Sequence, residues 1–323
     1  MTPESPFSAQ PESVEGPSLG GHDVTTTLNY YREPGDGSAP TPVVASPEKV
    51  TNVRPAAEVP VTIQDISGRE SLYTLDSHGF QIHRHGSCEK LFLDENTIKA
   101  VYFTETEQML KDVTGASWVK IFDHKVRRGP SHWHQLGENN TLSRGPLHRV
   151  HVDQSYDGAE IVLQRWFPDE ANEVKAKRWQ IINVGRMISL GFLLEARWPR
   201  PWGDKLMLQQ VWRPLKTVHQ SPLAVADARS VSDDDLVAAE VHYAPSGHRA
   251  ETWAVTPSSS HHWYYKYAQR PNEVMLIKCF DSDTANAARR TPHSAFEDPA
   301  YPEDDGANKG GRESIEVRAL VMY

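Results

Sequence analysis

Glu273-Val-Met-Leu-Ile-Lys-Cys-Phe280 is a short run rich in β-branched, aliphatic and aromatic side chains with turn residues on either side, the composition of a strand rather than a helix. Runs of the same kind recur at 118–122, 160–166, 180–184, 251–255 and 314–323. Helical signals are fewer. Residues 94–114 open on Asp94-Glu95 and place Ile98, Val101, Tyr102, Met109, Leu110 and Val113 on roughly one face. Pro168-Asp169-Glu170 reads as the start of a second helix, with Pro in the first turn and carboxylates at the positive end of the dipole. Ser232 with Asp235 reads as a capping-box start to a third, short helix. The chain shows no repeat, no heptad and no glycine-rich phosphate loop. The balance predicts a mainly β core with a few flanking helices packed outside it.

Outward from this core, residues 1–24 are dominated by Pro, Ser, Gly and Glu and predict a disordered tail, because they cannot bury enough apolar surface to offset the entropy of ordering. Residues 25–60 carry many Pro, Ala and Val and predict an extended segment wrapping along a surface. Residues 61–323 are expected to form one domain. With 34 basic and 43 acidic side chains in 323 residues the net charge is −9, which lacks the basic footprint of a nucleic-acid binder. No apolar run approaches the roughly 20 residues that span a bilayer, and the first residues lack the basic start and apolar core of a signal peptide. Cys88 and Cys279 make no disulfide scaffold. These features predict a cytoplasmic protein that binds neither membrane nor nucleic acid. They do not predict its oligomeric state. Fifteen His and nine Trp exceed what bulk requires and point to a site.

The most informative local pattern is Arg149-Val-His151-Val-Asp153-Gln-Ser155. Residues two apart on a strand share a side, so His151 and Asp153 can offer an imidazole and a carboxylate to one ion. A distant third His would complete a two-His-one-carboxylate set, which leaves open positions on Fe(II). The candidates are His261 or His262 in His-His-Trp-Tyr-Tyr, and His293 in Thr291-Pro-His-Ser-Ala-Phe296. The aromatic run around His262 reads most simply as core packing, whereas His293 lies between two strand signals, where a barrel rim would place it. Further on, Arg312 and Ser314 stand two apart before Ile-Glu-Val-Arg318, and could together hold a carboxylate. His132-Trp-His134 reads as a loop with exposed imidazoles, and His124 as a hydrogen-bonded core residue.

Several segments in order resemble one family: Thr74-Leu-Asp-Ser-His-Gly-Phe-Gln81, Thr114-Gly-Ala-Ser117, Phe122-Asp-His124, Arg149 to Ser155, Val211-Trp-Arg-Pro-Leu215, Ser221-Pro-Leu-Ala224, Lys278-Cys-Phe-Asp-Ser282, Thr291 to Phe296 and Arg312 to Arg318. The chain resembles the fungal hydroxylase/desaturase family that includes a gibberellin desaturase and cephem-methoxylase-like relatives, from about residue 25 to its end. That family is regarded as similar to Fe(II)/2-oxoglutarate dioxygenases, whose fold is a double-stranded β-helix, or jelly roll. The resemblance implies a tailoring oxidase that hydroxylates or desaturates a C–H position of a small fungal secondary metabolite. Its cofactors would be Fe(II), 2-oxoglutarate and O2, with ascorbate as reductant in vitro. It implies His151, Asp153 and His293 as iron ligands, and Arg312 with Ser314 beside it as the clamp for the distal carboxylate of 2-oxoglutarate. Arg318 is the reserve candidate for that clamp. Trp212, Trp263 and Tyr264 are candidate pocket walls.

One segment departs from the pattern. Family members run from a strand resembling Ile181-Ile-Asn-Val184 directly into Trp-Arg-Pro-Leu, and here residues 185–211 intervene, including Trp198-Pro-Arg-Pro-Trp202. A loop inserted at the barrel rim and a translated intron both account for the segment. The second is preferred, because the extra stretch has the length of a short fungal intron and the motif resumes in frame. A mature transcript that encodes 185–211 would exclude the intron. Against the active dioxygenase stand three other expectations: a jelly-roll binding protein of cupin type without turnover, a product inactivated because the apolar insert 185–211 prevents folding or blocks the pocket, and, ranked below both, a zinc hydrolase built on His132, His134 and an acid.

Overall fold

The computed structural model describes residues 21–142, 144–166, 168, 169, 171, 172, 206–214, 217–302 and 312–323. In chain order the described strands are β1 (Val24–Tyr31), β2 (Val43–Ala45), β3 (Val50–Thr51), β4 (Ala56–Asp65), β5 (Phe80–Arg84), β6 (Trp118–Arg127) and β7 (His151–Val152). They continue with β8 (Leu206–Pro214), β9 (Leu223–Ala226), β10 (Leu236–Tyr243), β11 (His248–Val255) and β12 (Trp263–Tyr265). The last are β13 (Glu273–Phe280), β14 (His293–Ala295) and β15 (Ser314–Met322). Ten of them form a sheet in the order β1-β4-β12-β9-β14-β7-β11-β10-β2-β3, and five form a second in the order β5-β13-β8-β15-β6. The two sheets face each other as a jelly roll, and the expected helix at 94–114 packs outside the five-stranded one.

One core lies between the sheets. Val152, Leu223 and Val225 meet Phe80, Met275, Ile277, Cys279, Leu320 and Met322 there. A second core covers the outer face of the five-stranded sheet, where Val274, Leu276, Ile315, Val317, Ala319 and Val321 pack on Tyr102, Met109 and Leu110. The last two belong to helix α1 (Phe103–Thr114), which a π turn over Ile98–Tyr102 and a turn over Glu95–Thr97 prolong upstream. The Asp94 carboxylate starts this run by accepting from the Thr97 amide at 2.6 Å. β13 is therefore buried on both faces at all eight positions. This explains why it reads as a continuous apolar run although its neighbours are antiparallel.

Much of the segment 25–60 is sheet, since β2, β3, nearly all of β1 and the start of β4 fall within it. β1 pairs with β4 from Val24 opposite Ile63 to Tyr31 opposite Ala56, so the expected boundary near Val61 falls inside β4. Pro60 is tolerated because β12 joins the other side of β4 only from Ile63 onward, so no partner there needs its missing donor.

A second difference concerns 160–166, expected as a strand. These residues belong to helix α2 (Tyr156–Trp166). The Ser155 hydroxyl accepts from the Gly158 amide at 2.8 Å, and Ala159, Val162 and Leu163 turn one buried stripe inward. A run this short and apolar fits both periods, and the cap decides for the helix. Ser232 and Asp235 form the expected capping box, on a single 3-10 turn (Asp233–Asp235). The expected strand at 180–184, residues 1–20 of the tail and most of the helix expected after Pro168 lie outside the described residues. So do residues 185–205 of the departing segment. Its last six residues, 206–211, are part of β8, with Met207 opposite Val321 and Leu208 opposite Leu320 in the middle of the five-stranded sheet. A chain without 185–211 would have to fill this row with other residues.

Candidate metal centre

The antiparallel ladders bring distant segments together. β14 pairs with β9, placing His293 opposite Val225, and with β7, placing His293 opposite His151. Asp153 follows β7 directly and shares its side with His151. The three side chains meet: His151 Nε2 is 3.6 Å from one Asp153 oxygen, and His293 Nε2 is 3.4 Å from the other. One donor atom from each residue lies within 4.8 Å of the others.

The imidazoles are held from behind in the same way. His151 Nδ1 donates to the Arg149 carbonyl at 2.8 Å, and His293 Nδ1 donates to the Thr291 carbonyl at 3.1 Å. A carbonyl only accepts, so Nδ1 carries a proton in each ring and each Nε2 faces Asp153, where it can donate to the carboxylate or, without its own proton, ligate a metal. Thr291 is itself anchored, since its hydroxyl donates to the Gly79 carbonyl at 2.8 Å. Gly79 has φ +85°, and a Cβ there would stand 2.2 Å from the Thr291 hydroxyl, so only glycine lets β5 come this close to the centre.

Burial alone would raise the Asp153 carboxyl, but hydrogen bonds and charge from His151 and His293 outweigh it and hold it well below the carboxylate range. Burial likewise works against protonating His293, and the Asp153 carboxylate overrides it, lifting the imidazole above its ordinary value. A buried carboxylate between two imidazoles with oriented Nε2 atoms is a donor set suited to a divalent transition metal, Fe(II) included.

The cluster opens into a small cavity whose lining includes Arg312 as well as His151, Asp153 and His293. Arg312 is 4 % exposed and donates to the Ser221 carbonyl at 2.9 Å, just before β15. Ser314 is fully buried, and its hydroxyl has no hydrogen-bond partner among the described residues. Arg318, on the same face of β15, is 3.3 Å from Asp123 and lines a second, larger cavity. The other third-ligand candidates stand elsewhere. His261 is engaged at both ring nitrogens, by the Tyr30 hydroxyl at 3.0 Å and by Asp235 at 3.1 Å, and His262 is exposed.

Other expectations change here. Trp263 is core, donating from Nε1 to the Tyr30 hydroxyl at 2.8 Å, and Tyr264 packs on Tyr73 and Phe80. Neither is among the lining residues of these two cavities, and the Trp212 side chain lies outside the described residues. The aromatic walls of the larger cavity include Tyr30, Tyr31, Trp133, Tyr243 and Trp253. His124 is buried and 3.1 Å from Glu95, as a core residue should be. His132 is exposed as expected, but His134 lines the larger cavity against the Trp133 ring, because a 3-10 turn carries it inward. The Arg127–Glu316 ion pair beside the metal cluster went unforeseen. Its signal is charge at every second position of two strands, Asp123, Lys125 and Arg127 on β6 and Glu316 and Arg318 on β15. That pattern reads as a solvent face unless the strands are known to enclose a site.

His134 supplies a pH prediction. Burial first, then the charges of Lys125, Arg127, Arg149 and Arg144, push its pKa from 6.5 to about 3. Neither ring nitrogen has a hydrogen-bond partner among the described residues. The unfolded chain thus binds a proton here between these values and the folded chain does not, so stability falls as pH drops below about 6.5. From about pH 7.5 to about pH 5 the protein should lose about 2 kcal/mol more than a His134→Leu variant. Urea unfolding of both proteins at the two pH values measures this.

Comparisons with known proteins agree with the fold. The family model described as "Oxidoreductase/YMDC permease-like domain" matches residues 28–199 and 193–322. The hydroxylase/desaturase efuI of Hormonema carpetanum is 34% identical over 93% of this chain and 95% of that protein. The alpha-ketoglutarate-dependent dioxygenase phiK, also fungal, is 31% identical over 93% of this chain and 96% of its own. Among solved structures, the iron and alpha-ketoglutarate-dependent endoperoxidase NvfI superposes with a TM-score of 0.72 at 23% identity, covering 94% of this chain and 99% of that one. That likeness is one of fold. With a family model across most of the chain and relatives above 30% identity over nearly all of it, this chain belongs to the fungal hydroxylase/desaturase family of oxidoreductases.

Proposed function

We propose that this oxidoreductase uses Fe(II), 2-oxoglutarate and O2 to hydroxylate or desaturate a C–H position of a small fungal secondary metabolite. In this reading His151, Asp153 and His293 hold the iron, and Arg312 with the Ser314 hydroxyl takes the distal carboxylate of 2-oxoglutarate. Arg318 is the second candidate for that role. The observation that carries the proposal is three donor atoms within 4.8 Å of one another on the wall of a cavity that also contains a buried arginine. When bound, iron and 2-oxoglutarate supply the oxidising power for an unactivated C–H bond. The chain's own residues do the rest. The Arg149 and Thr291 carbonyls fix the imidazole tautomers, Arg312 offers a bidentate fork to a carboxylate, and the larger cavity holds the metabolite against the metal. A cytoplasmic location belongs to the same proposal, since Cys279 and the exposed Cys88 are both free thiols. Among the described residues no helix is long and apolar enough to cross a membrane.

The test is anaerobic addition of Fe(II) and 2-oxoglutarate, followed by O2 and ascorbate. The expected result is the weak visible charge-transfer band of the ternary complex and then succinate. No band and no succinate would overturn the proposal in favour of a binding protein without turnover. Arg312→Gln should raise the 2-oxoglutarate concentration that half-saturates the band, with Arg318→Gln close to the parent. The reverse pattern would move the clamp to Arg318.

A further inference from the structure

The larger cavity shares Arg127, Leu147, His151 and Asp153 with the small one, so it reaches the metal cluster from another side. One part of its wall is apolar and aromatic, with Val43, Trp133, Tyr243 and Trp253. Another is cationic, with Arg54, Lys125, Arg127, Arg144, Arg149 and Arg318, and Asp153 is the only carboxylate among the lining residues. Asp153 itself faces the two imidazoles of the metal cluster.

Most of the cations have partners of their own. Arg127 is paired with Glu316, and Arg318 is 3.3 Å from Asp123. Arg54 donates to the Thr41 carbonyl at 2.8 Å, and Arg149 to the Arg54 carbonyl at 2.7 Å. Lys125 is different. It is 7 % exposed, and among the described residues its ammonium makes no hydrogen bond or ion pair. Glu316 stands opposite it in the β6–β15 register, yet the Glu316 carboxylate goes to Arg127. What lies near the Lys125 ammonium is the Trp133 ring at 6.0 Å, and the Arg144 guanidinium lies 5.7 Å from the same ring. Burial, with the charges of Arg127 and Arg144, pulls the Lys125 pKa well below that of an ordinary lysine. The Glu316 charge offsets this only in part, and a buried ammonium with no hydrogen bond or ion pair of its own among the described residues is costly, a cost that an anion in the cavity removes.

We infer that the metabolite oxidised here is a carboxylate, docked by its anionic group on Lys125 and by its hydrocarbon skeleton against Trp133, Tyr243 and Trp253. The inference rests on the proposed function for the identity of the site, and it separates the two anions. 2-Oxoglutarate takes the small cavity with Arg312, and the substrate takes the large one with Lys125. Geometry favours this division, because Arg312 lines only the small cavity and Lys125 only the large one.

The experiment uses the full chain loaded anaerobically with Fe(II) and saturating 2-oxoglutarate, so that the co-substrate positions are filled. Two probes of equal shape, 1-naphthylacetate and 1-naphthylacetamide, are titrated by calorimetry. The carboxylate should bind about tenfold or more tightly than the amide, as expected of a charge-assisted contact in a closed site. Lys125→Met should erase that preference while the charge-transfer band keeps its 2-oxoglutarate half-saturation, and Lys125→Arg should retain the preference. Equal binding of the two probes to the parent protein, or no binding of either at millimolar concentration, overturns the inference without any variant. A Lys125→Met protein that keeps the preference overturns it too. A variant that loses 2-oxoglutarate instead would assign Lys125 to the co-substrate, which is also a refutation. Absence of the band in the parent protein would sink the proposed function separately, whatever the probes do.

Discussion

Replacing Asp153 by Ala is expected to bring Fe(II)-dependent turnover of 2-oxoglutarate below detection. Asp153 is the sole carboxylate of the cluster, is 7 % exposed, and has an imidazole Nε2 on each side at 3.6 and 3.4 Å. Without it two neutral imidazoles remain, and they bring no charge to offset that of a divalent ion. Loss of a group that merely supports a metal ligand commonly costs 10–100-fold in affinity, so loss of the ligand itself should exceed about 100-fold. Asp153→Asn keeps the shape and removes the charge, and it should fail nearly as badly. The measurement is Fe(II) titration of the charge-transfer band at fixed 2-oxoglutarate, with succinate as the second readout. Parent-like turnover in Asp153→Ala would remove the ligand assignment, and His151→Ala tests it from the other side.

The largest loss of stability is expected from Asp281→Ala. The Lys278 ammonium and the Asp281 carboxylate are both completely buried and lie 3.0 Å apart. Asp281 also accepts from the Asp283 amide at 2.8 Å and from Asn286 Nδ2 at 3.1 Å, and its carbonyl accepts from Arg289 at 3.1 Å. It therefore holds the loop that leads to Thr291 and His293. Removing one partner of a buried pair leaves an uncompensated charge, at a cost of about 3–5 kcal/mol. That is a large share of the roughly 5–15 kcal/mol that stabilises a typical domain. Lys278 keeps a contact to the exposed Asp76 at 3.3 Å, which places the loss toward the lower end of the range. Urea midpoints should fall sharply for Asp281→Ala and much less for the double variant Lys278→Met/Asp281→Leu, in which no charge is stranded. Equal losses in the two proteins would show that the loop contacts, and not the ion pair, carry the stability.

Much of this was legible before the structure. The strand at 273–280, the long helix begun by Asp94 and the pairing of His151 with Asp153 all follow from periods and caps that act within a few residues. Misreadings arose where a local pattern fits two outcomes. Residues 160–166 fit a strand or one face of a helix, and residues 206–211 carried no signal that set them apart from the segment before them. Lys278 and Asp281 were visible as part of a motif, but nothing local says that both would be sealed from water.

The sequence by itself determined that alternating apolar runs would make sheets, that His151 and Asp153 would share a side, and that one of few distant imidazoles would stand with them. Only the tertiary structure decided that the imidazole beside Asp153 belongs to His293 and not to His261, since β14 lies next to β7 whereas His261 is tied to Tyr30 and Asp235. It also decided that the charged faces of β6 and β15 look inward, at one end of the space between the sheets. The physical reason is that a period of two states which residues share a face, but the side of a sheet that becomes enclosed depends on how distant strands pair and close over it.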